Sequence, residues 1–487
     1  MGFLRRLASQ SAVYGLSSVV PRLLNYFLVV LHSRVYEKGE YGVLTELYAY
    51  IAILMVVLTF GLETGFFRFA RTDDPKSGEK TYGTLFYFLA ATSTLFFATC
   101  WGFCTPISET LGYEGRESLL LITAGILGID AWSAIIFAKL RWQQRPLVFS
   151  SIKIASVVVN VGLNLLFLVG FPKLGLYNAH FGAGYVLLSN LIASLGAFVC
   201  GIAVTGWLPP RGSRRELWAI LAFSFPLLIS GIGGTANEFL DRIFIKWLTP
   251  ASDAMVELGV YGANAKIAVL VVLFVQMFKY AAEPFFFAQK GKEGDRNIYA
   301  IVTQYFTYFI ALCAVGIWFA MPVLKHFVGR AFWDGLDVMP FLLLANVLYG
   351  LYFNVSFWYK LTKRTWYGVL FTFAGAAITI GVNLWLTPLI GYKGAAIARG
   401  CSYAVMIALC LMVGQRRYPI PYNFGKMGLV LLGGLAISVA GGFMDHWPLG
   451  AMLLARAALL VAMLEGILRM EGTSLIEMLK RWRRLFR

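Results

Sequence analysis

Charge is scarce in this chain. Asp, Glu, Lys and Arg make up 14% of its 487 residues, while 59% are hydrophobic. That shortage excludes an ordinary water-soluble domain, in which about one residue in four is charged. Histidine is scarcer still: His32, His180, His326 and His446 are the full set. The six cysteines lie within or beside apolar stretches, and although Cys100 and Cys104 share a helical face, no His or carboxylate completes a metal set around them. A P-loop, an HExxH motif and a Ser–His–Asp order are all missing, so ATP is not expected as the direct energy source, and neither a cofactor nor a metal is called for. Acidic residues number 25 against 42 Lys and Arg, a net charge of +17. Nucleic acid is nevertheless not the implied partner, because the loops are too short to fold into a binding surface.

What fills the chain is apolar runs. A membrane-crossing helix needs about 20 predominantly apolar residues. Fourteen such spans are expected near 8–33, 41–67, 82–106, 117–138, 147–171, 183–206, 217–248, 258–288, 297–323, 336–359, 365–391, 394–414, 427–444 and 449–468. The loops between them alternate in charge. Twenty-seven Lys and Arg fall on the side of both termini, against eight on the other: Arg34, Lys38, Arg116, Lys173, Lys246, Lys325, Arg330 and Lys393. Cytoplasmic loops carry the Lys/Arg excess, so both termini are expected in the cytoplasm, with the four histidines on the outer side. The first span carries polar residues and Arg22 and shows no small-residue cleavage site, so it reads as a retained helix rather than a secretory signal. The C-terminal stretch from Lys480 to Arg487, basic with interleaved Trp482, Leu485 and Phe486, reads either as a segment lying on anionic lipid or as a tail that enforces topology.

The two halves resemble each other at an offset near 217 residues. Glu40-Tyr41-Gly42-Val43 matches Glu257-Leu258-Gly259-Val260, Asn164-Leu165 matches Asn383-Leu384, and Pro21 matches Pro226. Each half holds six spans and starts on the same side, so the repeats are parallel, related by an axis along the membrane normal. The expectation is an all-α polytopic membrane protein of fourteen transmembrane helices. Two six-helix lobes, 1–210 and 211–420, are followed by two additional helices in 421–470 and a basic tail, 471–487. Pro21 and Pro226 are expected to kink the first helix of each lobe.

Several ionisable residues fall inside the spans. A cation at that depth costs roughly 2.5–3.5 kcal/mol on insertion scales and usually faces a bundle interior. Arg22 and Asn25 share a face of span one, with no acid within a turn, and arginine's planar fork suits phosphate. Arg22 therefore reads as a contact for an anionic substrate, or as the partner of Glu63 or Asp130. Arg242 has Glu238 four residues before it and Lys279 has Glu283 four residues after it, so both read as structural pairs. Lys266 has no such local partner, which makes it a substrate candidate. Arg399 and Arg456, in spans twelve and fourteen, are candidates for the head group of a lipid-linked substrate. Glu63 and Asp130, as buried carboxylates in spans two and four, are candidates for ion or proton coupling.

Several segments together resemble the polysaccharide-transport branch of the multidrug/oligosaccharidyl-lipid/polysaccharide exporter superfamily. They are Ser33-Arg34 with Glu40-Tyr41-Gly42, Gly61-Leu62-Glu63-Thr64-Gly65-Phe66-Phe67-Arg68, Asp241-Arg242, Glu283-Pro284-Phe285, and Asn383-Leu384 with Gly394-Ala395-Ala396. The resemblance covers essentially the whole chain. It implies a flippase, not an enzyme, of the bacterial inner membrane, moving undecaprenyl-diphosphate-linked oligosaccharide by alternating access. Inner-cavity cations would meet the diphosphate, with membrane lipids, a glycan polymerase and glycosyltransferases as partners. Two other transporters share the superfamily: a lipid II flippase and a cation-coupled drug antiporter. Lipid II flippases would be expected to carry an Arg-Asp pair in the first span, where Leu23 follows Arg22 here. A basic interior argues against an antiporter of cationic drugs. A membrane-embedded glycan polymerase or ligase would need a large outer loop, and the longest here, around 172–182 and 324–335, are short.

Overall fold

In the computed structural model the described residues are 24, 26–70, 75–207, 209, 212–289, 291, 294–475 and 477. Arg22, Asn25 and Pro21 lie outside them, as do the side chain of Glu283 and the tail beyond Glu477. Among the described residues the chain is helical, without a strand, and thirteen helices are long and apolar enough to cross a membrane. A shorter apolar helix, α1 (Tyr26–Val35), occupies the end of the first expected span.

The helices of the first half are α2 (Lys38–Thr59), α3 (Leu62–Phe69), α4 (Pro75–Gly102), α5 (Cys104–Leu111), α6 (Glu117–Trp142), α7 (Pro146–Leu165), α8 (Gly184–Thr205) and α9 (Arg214–Leu248). They are followed by α10 (Ala254–Gln289), α11 (Asp295–Phe319), α12 (Met339–Val355), α13 (Trp366–Ile390), α14 (Tyr392–Arg417), α15 (Phe424–Gly442) and α16 (Leu449–Met470). The chain divides into two compact units. One runs to Lys246 and takes in Ala251–Gly259; the other comprises Trp247–Pro250 and everything from Val260.

In the first unit α6 is the central helix, packed on α2, α4 and α8. Its Ile135 and Ile136 pack with Leu62 and Phe66 of α3 and Tyr82 and Phe86 of α4 in one core, all six at most 1% exposed. Span two is broken: Phe60 and Gly61 adopt left-handed backbone, with φ of 51° and 66°, and separate α2 from α3. A Cβ at Gly61 would also lie 3.2 Å from the Ser224 carbonyl oxygen of α9. Both the turn and the close approach require glycine. By contrast, α9 runs through Pro226 as one 35-residue helix.

The repeat-equivalent glycines meet. A Cβ on Gly42 would strike the carbonyl oxygen of Met255 and come within 3.3 Å of the Gly259 nitrogen. One on Gly259 would strike the carbonyl oxygen of Lys38 and come within 3.0 Å of the Gly42 nitrogen. The first turns of α2 and α10 therefore cross backbone to backbone, a contact that small residues permit between apolar helices.

In the second unit α14 packs on α12 and α13, while α11 packs on α12, α15 and α16. An aromatic core of Phe286, Phe357, Trp358 and Phe371 closes one end. Glu471, just past α16, accepts hydrogen bonds from Lys426 Nζ at 2.8 Å and from Gln304 Nε2 and Tyr308 Oη, each at 3.0 Å. That cluster fastens α15 and α16 to α11. Exposed Trp101, Trp207, Trp218, Trp366, Trp385 and Trp447 lie toward helix ends, where the amphipathic indole ring suits a membrane–water boundary.

Candidate functional site

The break at Phe60–Gly61 starts α3 in a new helix, with Glu63 in its first turn. Glu63 forms an ion pair with Arg141 from the end of α6, and its side chain is 46% exposed. The expectation of a buried Glu63 is thus corrected: the left-handed turn lifts the carboxylate out of span two and presents it to a basic residue. Arg141 also lies over the Phe67 ring, 5.2 Å from its centroid.

Asp130 sits half-buried about three turns from Arg141 along α6. It shares a hydrogen bond with the Ser194 hydroxyl of α8 and is electrostatically coupled to Lys153 of α7. Lys153 is also under the field of Glu63 and Arg141, and its ammonium lies 3.9 Å from the Phe137 ring centroid. Four ionisable groups from α3, α6 and α7 thereby form one network of two acids and two bases. Such a network holds charge inside a helical bundle by mutual compensation, and a proton added to Asp130 would leave Lys153 short of a counter-charge. The sequence reading singled out the two carboxylates but not Lys153, although a lysine seven residues into span five was there to be found.

A second buried pair lies elsewhere in the first unit. Glu46 of α2 is fully buried and accepts hydrogen bonds from Lys246 Nζ at 2.7 and 2.9 Å and from the Tyr113 hydroxyl. Lys246 also donates to the Leu111 carbonyl at 2.6 Å. Nearby, Arg116 grips Glu40 in a fork, with one bond at 3.0 Å, and Glu40 in turn accepts the Ala183 amide. These contacts tie α2 to α9 and to the segments that precede α6 and α8. The sequence reading placed Lys246 in an outer loop and passed over Glu46.

The remaining candidates are spread over the second unit and the end of α9. Arg242 pairs with Asp241 at 3.1 Å and donates to the Glu238 backbone carbonyl at 2.8 Å. This corrects the expected Glu238–Arg242 carboxylate pair: the i, i+4 contact uses the Glu238 carbonyl, and the neighbouring Asp241 supplies the charge. Lys279 lies 5.4 Å from the Phe353 ring centroid, and its expected partner Glu283 falls outside the described side chains. Lys266 is the one exposed residue in the stretch 261–268 of α10, whose span is 72% buried, the highest share of the thirteen. Arg399 is buried within α14 at 7% exposure. Arg456, in α16, is buried and paired with Asp445. Among the described residues no cluster of three or more His, Cys, Asp or Glu side chains is arranged for a metal ion.

Residues 7–289 match the family described as polysaccharide biosynthesis protein. The chain belongs to that family. Curated proteins offer no significant match to it. Among solved structures, the family member is similar to a lipid II flippase MurJ in an inward closed conformation, with a TM-score of 0.73 and 13% identity over 98% of this chain and 100% of that one. It is also similar to a multidrug resistance MATE family transporter of the MOP superfamily. The inward-facing form gives a TM-score of 0.66 at 14% identity, over 84% of this chain and 98% of that one. The outward-facing form gives 0.58 at 15% identity, over 84% and 94%. These likenesses establish a shared all-helical polytopic fold, in which this family member is a multi-pass membrane protein.

Proposed function

We propose that this protein is a flippase for a polyprenyl-diphosphate-linked oligosaccharide, working by alternating access in a bacterial inner membrane. The observation that carries the reading is membership of a polysaccharide biosynthesis family in a chain with a transporter fold throughout. A glycan built on a lipid must cross the bilayer with its charged head, and a protein whose spans hold compensated charges suits that task. Lys266 and Arg399 are assigned to the diphosphate, together with Arg22 and Asn25, which lie outside the described residues. The Glu63–Arg141–Lys153–Asp130 network is assigned to coupling: protonation of Asp130 would release Lys153 and unbalance the first unit.

A second reading, a lipid II flippase, is favoured by one observation. The MurJ structure matches this chain nearly end to end, whereas the MATE transporters cover 84% of it. The two are separated by expressing the protein in cells depleted of their lipid II flippase and, in parallel, in cells of its own source in which it has been deleted. Loss of surface glycan on deletion, without rescue of the depleted cells, supports the first reading. Rescue of the depleted cells overturns it in favour of the second. In the deletion cells, Arg22→Ala supplied in place of the natural protein is expected to leave export abolished at unchanged protein level, and full export by that variant would remove Arg22 from the site.

A further inference from the structure

The second unit contains a pocket that the transport reading leaves unused. We propose that this pocket and the apolar cavity adjoining it bind a zwitterionic glycerophospholipid. Its phosphate meets Arg456 and Lys325, its ammonium meets Asp337 and Asp445, and an acyl chain lies between α11, α12 and α15. The assignment rests on the second unit alone and stands whether or not the protein is a flippase.

The cavity has a volume of about 260 Å³ and is walled by α11, α12 and α15. That size falls just below the roughly 300–1,000 Å³ typical of sites that take up a whole small ligand, and suits part of an acyl chain. No charged residue lines it. Its one hydroxyl side chain, Ser438, donates to the Gly434 carbonyl at 2.8 Å, leaving the wall apolar. Leu344, Leu435 and Val439 line the cavity and are also among the exposed large hydrophobics, so it opens sideways from the bundle. In a membrane-spanning bundle that opening faces acyl chains.

Trp318 lines both the cavity and the polar pocket, which has a volume of about 260 Å³. Four charged side chains line the pocket: Lys325, Asp337, Asp445 and Arg456. Arg456 is 3% exposed and is held by the Gly441 carbonyl, at 3.0 and 3.3 Å, and by Asp445. Asp445 itself is 59% exposed, a partner that a phosphate could replace on the guanidinium fork. Lys325 lies 4.5 Å from the Trp333 ring centroid, and Asp337 pairs with Lys393 at 2.6 Å at the rim. The lining charges therefore balance, two of each sign. A diphosphate would set at least two negative charges against two carboxylates, whereas a head group with one phosphate and one ammonium is complementary to both pairs. A charged pocket adjoining an apolar cavity across Trp318 has the polarity of a single phospholipid.

The test uses delipidated full-length protein and native mass spectrometry. Phosphatidylethanolamine and phosphatidylglycerol with the same acyl chains, and undecaprenyl diphosphate, are titrated as competing probes. Phosphatidylethanolamine should be retained about ten-fold better than phosphatidylglycerol, and Arg456→Gln should lower its retention about ten-fold, the loss of one hydrogen-bonded charge. The double variant Asp337→Asn/Asp445→Asn should reverse the preference toward phosphatidylglycerol, a gain that a misfolded protein would not show. Equal retention of the two phospholipids by the unmodified protein, or a preference unchanged in the double variant, overturns the proposal. Displacement of phosphatidylethanolamine by one equivalent of undecaprenyl diphosphate also overturns it, and assigns the cavity to the tail of the transported lipid.

Discussion

Glu46 shows at the residue scale how this protein accommodates charge in an apolar bundle. Fully buried in α2, it is compensated by Lys246, 200 residues away and itself 11% exposed. Removing one member of a buried pair strands the other, at a cost of about 3–5 kcal/mol, while replacing both by apolar residues of similar volume is often neutral. Lys246→Ala is therefore expected to lower the thermal midpoint of the purified protein sharply, and Glu46→Leu/Lys246→Met to restore most of it. A double variant as unstable as the single one would show that the pair does more than compensate itself. The Glu63–Arg141 pair has a different standing. Both side chains are about one-third exposed or more, so the pair contributes at most about 1 kcal/mol, and a transport defect in Glu63→Gln would report function rather than folding. Reading the sequence by local spacing could not rank these two pairs. Partners at i, i+4 are visible in a sequence, but a lysine 200 residues from its glutamate is not, and the Asp241–Arg242 pair shows that an adjacent acid can displace the expected one.

At the scale of the helix, hydropathy located the spans well where helices are uninterrupted. The run expected at 217–248 is α9, Arg214–Leu248, and the run at 297–323 is α11, Asp295–Phe319. It failed where the backbone turns inside an apolar run. Phe60–Gly61 divides span two, and the run expected at 336–359 begins as a 3-10 stretch, Arg330–Val338, before α12. Left-handed and 3-10 conformations change no side-chain polarity, so a hydropathy profile does not register them. The repeat did carry usable information, because its two matched glycines are the residues that cross at α2 and α10. The atoms a Cβ would meet there are backbone carbonyls, which cannot rotate away. Gly259→Val is therefore expected to cost about 1–3 kcal/mol as an overpacked contact, read as a lower thermal midpoint. Gly39→Ala, with open space around it, serves as the control and should leave the midpoint unchanged. Equal effects of the two substitutions would remove the crossing as the cause.

For the whole molecule, orientation in the membrane is the property that joins the charge pattern to the sites. From the imbalance of twenty-seven Lys and Arg on one side against eight on the other, we propose a cytoplasmic face for the loops after α6 and before α13. The same rule places the loops after α7 and after α9 outside. On that assignment the balanced pocket of Lys325, Asp337, Asp445 and Arg456 faces away from the cytoplasm, because Lys325 and Lys393 belong to the sparse side. The Glu63–Arg141 pair then lies at the cytoplasmic end of the first unit, where a coupling ion would enter or leave. Epitope tags inserted singly at Asn178, between α7 and α8, and at Lys363, before α13, test this in intact chains. In spheroplasts the tag at 178 should be reached by antibody and the tag at 363 only after permeabilisation, with glycan export retained in both insertions. Antibody access at 363 without permeabilisation would invert the molecule. It would move the phospholipid pocket to the cytoplasmic leaflet and set the coupling network on the outside.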